Sequence, residues 1–475
     1  MIENNPPKGV SLSDLICIFA MSIVGFSCFF CNTTISENSD MAKILSNFLL
    51  LRYLKSLIYN SVAELRNMKK TLLITYIFCM IVATGHACTA AVITGKATKD
   101  GRPMIWKVRD TDALQNCMRF FKGQKYDFIG VVDCQPRSKE EVWLGTNTAG
   151  FSIINTQSFN LEKTVNGIEP GGKNGEFMYK TLSVCATVQD LRHYLDTTKL
   201  VGLCANFGVI DAEGGAVWVE VSTRSYHFFD VNDPKIAPNG YAVRTNFSFT
   251  GEPNEGLGYV RYKTADDALS QAAKAKAITP DWIFEHLDRS FLNPKLGIDL
   301  HDGTHNIPNT SGWFVDHDFI SRVGTACSGV IEGVKPHENP ELTTMWTVIG
   351  YPPVSTAFPF WVKNADKLLP ALYTIEAGQK VTVFGKKVDT LKDRVYSYHQ
   401  GIGSDRYFNW EALYNKQGDG IMQKLKPVEK EIFNKTHAVS MKWYENGKVN
   451  TKELESLYLT LTNYVTSSYK HLFDL

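Results

Sequence analysis

Cys88 is where the chemistry of this chain concentrates. It follows Met68-Lys69-Lys70, an apolar run from Thr71 to Ala83, and the small-residue exit Thr84-Gly85-His86-Ala87. This reads as a secretory signal peptide over residues 68–87, cut after Ala87. The cut makes Cys88 the first residue of the mature chain. A terminal cysteine carries a nucleophile and a base on one residue. Its α-amino group, with an ordinary pKa of about 7.7–8.0, can take the thiol proton near neutral pH. Two blander meanings compete. A lipoprotein anchor needs a Leu-type residue three positions ahead of the cysteine, where Gly85 stands. Half of a disulfide is common in secreted proteins.

Further polar residues recur downstream at strand ends. Trp106-Lys107-Val108-Arg109-Asp110-Thr111-Asp112 clusters charge behind an apolar run. Asn155 closes Phe151-Ser152-Ile153-Ile154, Asn246 follows Val243-Arg244-Thr245, and Arg261 stands in Gly258-Tyr259-Val260-Arg261-Tyr262. Taken singly, each has a plain reading as a solvated strand end, a turn-forming Asn or a helix-surface Arg. On an alternating strand Lys107 and Arg109 share a face and Asp110 takes the other, unless a bulge intervenes.

The elements that must hold these residues begin with a hairpin. Thr89 to Thr94 is apolar and β-branched, Lys99-Asp100-Gly101 is a turn signal, and Met104 to Arg109 is the returning strand. That places Cys88 at the tip of the first strand. Further strands are expected at Asp127–Val132, Glu141–Leu144, Phe151–Asn155, Ala205–Asp211, Ala216–Val221 and Tyr241–Asn246. Helices are expected at Gly175–Cys185, Val188–Thr197, Lys263–Ala275 and Pro280–Arg289. Many strands with few intervening helices predict stacked antiparallel sheets flanked by helices, an α+β fold. From about Ala365, Thr390–Tyr398, Asn409–Tyr414, Glu429–Lys435 and Glu453–Tyr469 carry helical spacing. The organisation read from this is an upstream extension over 1–67, a signal peptide over 68–87, a sheet domain over 88–364 and a mostly helical region over 365–475.

Composition sets bounds. The 475 residues are 44% hydrophobic and 21% charged, with net charge +1, which points to no nucleic-acid partner. Of ten cysteines, Cys17, Cys28, Cys31 and Cys79 precede the expected cut. Cys88, Cys117, Cys134, Cys185, Cys204 and Cys327 follow it without a CxxC pair, so no zinc ribbon or thioredoxin-type motif is supported. Residues 15–31 are apolar and just long enough to span a bilayer. Either Met68 is the true start, or a membrane segment lies upstream.

In this order the residues acquire a pattern. Cys88-Thr89, the hairpin and Arg109-Asp110 resemble the opening of N-terminal-nucleophile amide hydrolases. The pattern is most similar to the choloylglycine hydrolase and penicillin V acylase group, the acid ceramidases, the C45 acyl-transferase-type peptidases and the C69 dipeptidases. The resemblance covers roughly Cys88 to Trp361. It implies a four-layer αββα sandwich and a cysteine nucleophile working without a cofactor. It also implies a carboxylate that holds the terminal amine, an oxyanion site built with Asn155 and Asn246, and an active-site Arg at a helix start, matched by Arg261. The group's Gly-Arg-Asn-x-Asp pattern is not kept: counting from Gly101 selects Lys107 with Asp110, whereas keeping Arg selects Arg109 with Asp112. Asn174-Gly175-Glu176-Phe177, Met345-Trp346-Thr347 and Gly350-Tyr351-Pro352 resemble structural segments of the C45-like members.

The expectation is an exported, periplasmic or extracellular hydrolase of linear amides, matured by signal peptidase and acting on a small-molecule amide. Whether it forms a homo-oligomer is left open. A dipeptidase or acyltransferase of the same fold is the near alternative, and a secreted binding protein the distant one. Two clusters, His301-Asp302-Gly303-Thr304-His305 and Asp316-His317-Asp318, have metal-ligand types, but the first lies in a Gly/Asn/Pro-rich loop and no HExxH is present. No GxSxG, Walker-A or GxGxxG motif occurs.

Overall fold

The computed structural model describes residues 87–161, 170–376, 378–397, 399–400 and 407–475. The expected extension over 1–67 and the leader up to His86 lie outside the described residues.

The chain opens as a hairpin of β1 (Cys88–Ile93) and β2 (Met104–Asp110). Gly101 in its turn has φ +83°, a conformation that favours glycine. Cys88 pairs with Arg109, and Ala90 with Lys107. β1 is buried at every position, because both of its faces are covered. Its neighbours form a six-stranded antiparallel sheet in the order β10 (Tyr241–Arg244), β1, β2, β11 (Thr325–Glu332), β12 (Thr344–Ile349), β13 (Phe358–Phe360).

A second, seven-stranded antiparallel sheet is a meander in sequence order: β3 (Asn116–Phe121), β4 (Phe128–Asp133), β5 (Leu144–Asn147), β6 (Ser152–Gln157), β7 (Ala205–Ile210), β8 (Ala216–Val221) and β9 (Tyr226–Asp230). Its outer face carries α1 (Asn174–Val184) and α2 (Val188–Thr197). Phe177, Met178, Leu182, Leu191 and Leu195 of these helices share a core with Val132, Ile153, Phe207 and Val219. A capping box of Thr187 and Asp190 starts α2, a device that contributes about 0.5–2 kcal/mol.

The inner faces of the two sheets meet in the other core, where Val92 and Ile105 join Ile154 and Trp218. The approach is close at Gly329, where an added Cβ would lie 2.3 Å from Leu144 Cδ1. Against the outer face of the six-stranded sheet pack α3 (Tyr259–Lys274), a short helix continuing as a π turn over Pro280–Asp288, α4 (Val383–Asp393), α5 (Ile421–Asn446) and α6 (Thr451–Phe473). The architecture is therefore a four-layer αββα sandwich.

Several elements differ from expectation. The strand expected at Glu141–Leu144 begins only at Leu144. The helix expected from Lys263 begins at Tyr259, behind Gly258 at φ +89°. The helical spacing at Thr390–Tyr398 belongs to a helix centred further upstream, Val383–Asp393. β11 is not among the strands expected from the sequence. Its residues, Thr-Ala-Cys-Ser-Gly-Val-Ile-Glu, are buried on both faces at seven of eight positions, so it has no apolar/polar alternation to read.

Candidate active site

Cys88 is a buried free thiol at the start of β1. Its backbone nitrogen donates to Asn246 Oδ1 at 2.8 Å. Arg261 Nη2 donates to the same oxygen at 2.9 Å, while Asn246 Nδ2 donates to the Gln157 carbonyl at 2.8 Å. Two donors on one side and a carbonyl on the other settle which end of the amide is which. The resemblance gives Asn246 the part of an oxyanion donor; here it meets the Cys88 nitrogen with its acceptor.

Arg261 holds the same residue from the helix side. Its Nη1 donates to the Cys88 carbonyl at 2.6 Å and to Thr89 Oγ1 at 2.7 Å. Burial pushes the Arg261 guanidinium down to about 9, and the Arg322 charge adds to this, while Asp110 and Cys88 oppose it. Helix α3 brings Arg261 this close through Gly258. A Cβ at Gly258 would lie 2.5 Å from Arg261 Nη2 and 2.9 Å from Thr245 Cβ.

The inner face of β2 carries the two cations that the sequence left as alternatives, and the structure gives them different partners. Lys107 Nζ donates to Asn155 Oδ1 at 2.7 Å and to the Trp143 carbonyl at 2.8 Å. Burial lowers its pKa to about 8, with the nearby Cys88 thiol working in the opposite direction. Because Lys107 occupies Asn155 Oδ1, the NH₂ of that amide is the end left to donate. Among the described residues it meets no protein acceptor. Arg109 instead donates through Nη1 to Asn116 Oδ1 and Asp133 Oδ1, both at 2.8 Å, and lies over the Trp143 ring. It is bound into a structural ion pair at the end of β3 and β4.

Asp110 faces the opposite side of the sheet. It pairs with Thr325 across a bulge, since the β2–β11 register shifts between Thr325 and Cys327. Thr325 Oγ1 donates to Asp110 Oδ1, and Arg322 Nη2 donates to Oδ2. The same Arg322 nitrogen lies 3.4 Å from the Ala87 carbonyl, so the carboxylate sits beside the Ala87–Cys88 peptide. Asp112, the other candidate, is exposed. The geometry therefore brings Cys88, Lys107, Asp110, Asn155, Asn246 and Arg261 around one strand end and directs Arg109 elsewhere.

Sequence reading misses Arg322 and Thr325. Both precede or open the unrecognised β11, and nothing in Ile320-Ser321-Arg322-Val323-Gly324-Thr325 distinguishes them from an ordinary loop. The two metal-type clusters are otherwise engaged. His301 Nδ1 lies 3.5 Å from Asp299, and Asp316 accepts from the Val323 nitrogen and from Tyr396 Oη. Among the described residues, no group of three or more His, Cys, Asp and Glu side chains is placed to hold a metal. A cavity of about 990 Å³ between α3, the Pro280–Asp288 turn and α5 is lined by Trp282, His286, Arg289 and Glu429, away from Cys88.

No family model matches the sequence, and no curated protein matches it. Among solved structures, the chain is similar to a mutant conjugated bile acid hydrolase from Clostridium perfringens. The two are 13% identical, with 58% of this chain and 93% of that one covered at a TM-score of 0.32. It is also similar to a Caenorhabditis elegans ortholog of N-acylethanolamine-hydrolyzing acid amidase, 15% identical over 52% of this chain and 92% of that one, at a TM-score of 0.32. Penicillin V acylase from Agrobacterium tumefaciens is 12% identical over 58% and 86%, again at 0.32. These are members of the groups that the sequence resembles. At such TM-scores no residue role is transferred, and the roles below rest on the geometry of this chain.

Proposed function

We propose that this chain is a cysteine amide hydrolase that acts once Cys88 is its N-terminus, cleaving the C–N bond of a small linear amide through a thioester. The observation that carries this reading is the environment of the Cys88 nitrogen. An amide nitrogen in mid-chain needs one acceptor. This one has Asn246 Oδ1 at 2.8 Å, Arg322 bridging the preceding carbonyl to Asp110, and Arg261 clamping both its own carbonyl and Asn246 Oδ1. Removal of Ala87 turns that nitrogen into an amine with an acceptor already in place.

The steps follow from the residues present. The α-amine takes the thiol proton, and Sγ attacks the substrate carbonyl carbon. Negative charge develops on the carbonyl oxygen, where Asn155 NH₂, oriented by Lys107, is the donor at hand. Donors of this kind contribute about 10²–10³ in rate. The C–N bond breaks as the Cys88 ammonium returns its proton to the leaving amine. Water, deprotonated by the same amine, then hydrolyses the thioester, releasing the carboxylic acid and restoring the thiol. Lys107 supplies positive charge to the thiolate side. In this reading export is the activating step, because signal peptidase alone frees the amine.

The test is to express the full chain, determine its N-terminus, and assay it on a panel of N-acyl amides, conjugated acids, acylated amino acids and dipeptides. The processed chain begins at Cys88, is blocked by iodoacetamide, loses most activity as Cys88→Ser and all of it as Cys88→Ala. An undiminished Cys88→Ala variant overturns the assignment.

A further inference from the structure

The loop over 316–325 is tied on two sides. Towards the hairpin, Arg322 and Thr325 hold the two oxygens of Asp110, the Arg322 backbone nitrogen donates to Thr325 Oγ1 at 2.9 Å, and the Thr111 nitrogen donates to the Gly324 carbonyl at 2.9 Å. Towards the C-terminal region, Lys392 Nζ of α4 donates to the Val323 carbonyl. Tyr396 Oη donates to Asp316 Oδ2 at 3.0 Å and lies 3.3 Å from Tyr351 Oη. The Val323 nitrogen closes the loop on Asp316. Val323 thus has both of its backbone polar groups fixed, one residue from Arg322.

We infer that Arg322 is the positioning residue for Asp110, and that the C-terminal helical region holds Arg322 in place. This rests on the proposed function, since it assigns Asp110 to the Cys88 amine. The physical case has three parts. Arg322 is largely buried and adjoins a buried carboxylate, so removing either partner leaves a charge unmatched. Burial opposes the Arg322 charge, yet Asp110, and then Asp316 and Asp318, more than offset it and raise its pKa, so it is a permanent cation. Finally, one nitrogen of Arg322 reaches both Asp110 and the Ala87 carbonyl. Once Ala87 departs, that nitrogen keeps only Asp110, whose two oxygens stay held by Arg322 and Thr325. A carboxylate fixed by two donors cannot rotate away from the amine.

The experiment compares Arg322→Leu, Arg322→Lys and Tyr396→Phe with the wild type, after N-terminal processing has been verified for each. A carboxylate that loses its adjoining cation is free to turn from the amine, so kcat of Arg322→Leu falls roughly tenfold to a hundredfold with little change in KM. Arg322→Lys, which keeps the charge, restores part of kcat. Tyr396→Phe, which keeps every charge but loosens the loop, lowers kcat several-fold, again with KM little changed. An Arg322→Leu enzyme with wild-type kcat refutes the inference while leaving the cysteine mechanism intact. An active Cys88→Ala enzyme removes the mechanism itself. If Arg322→Leu does not fold, the Arg322→Lys and Tyr396→Phe profiles decide, and wild-type kcat in both refutes the inference.

Discussion

Replacing Lys107 with methionine separates the energetic cost of that side chain from its use. Burial at the sheet interface brings the Lys107 ammonium from 10.5 to about 8. At about 1.4 kcal/mol per pH unit, holding it charged in the folded chain at pH 7 costs roughly 3 kcal/mol. The unfolded lysine keeps its proton up to about pH 10.4, whereas the folded one releases it near 8. Between those values the unfolded state binds more protons, so stability rises with pH; below about 8 the full cost is present. Methionine preserves the stem and removes the charge. It also gives up the bonds to Asn155 and Trp143, each worth about 1 kcal/mol net. The assay is urea unfolding followed by tryptophan fluorescence, in a Cys88→Ser background that takes away thiol ionisation. Subtracting the methionine variant cancels every other titration. The unfolding free energy of the lysine form should gain about 2–3 kcal/mol on the methionine form between about pH 7 and pH 10. A difference that stays flat across that interval refutes the reasoning. In the Cys88 enzyme the same substitution should lower kcat about a hundredfold, because Asn155 loses its hold.

Three further outcomes follow from the same geometry. Activity should decline above about pH 8 as Lys107 loses its charge, and Lys107→Arg, if active, should carry that limb upward because a guanidinium stays protonated; an unmoved limb assigns the decline to another group. Gly258→Ala should cost about 1–3 kcal/mol and most of the activity, since φ is +89° and the new methyl meets Arg261; a wild-type melting temperature contradicts this. Asn246→Asp sets a carboxylate oxygen against the Gln157 carbonyl and should destabilise the fold by about 1–3 kcal/mol, read by thermal unfolding, with an unchanged midpoint counting against the observed amide orientation.

Local chemistry makes much of the opening legible. The Lys99-Asp100-Gly101 turn needs a positive φ at Gly101, and the β-branched run before it needs a strand, so the hairpin and the position of Cys88 at the start of its first strand can be read from adjacent residues. Alternation likewise separates Lys107 and Arg109 from Asp110. Helix α3 starts four residues ahead of its expected beginning because Gly258, which the sequence presents only as a neighbour of Arg261, is its left-handed cap.

What the amino-acid order determined by itself was thus the turn, the strand period and the types of residue gathered near Cys88. Only tertiary structure decided their partners. Lys107 and Arg109 are equivalent by period; the stacking of the second sheet sends one to Asn155 and the other to Asp133. Arg322 meets Asp110 from 212 positions away, just ahead of a strand whose two buried faces erase the alternation that would have announced it. Residues that far apart in the chain are brought together by sheet order and layer packing, which no short window of sequence encodes.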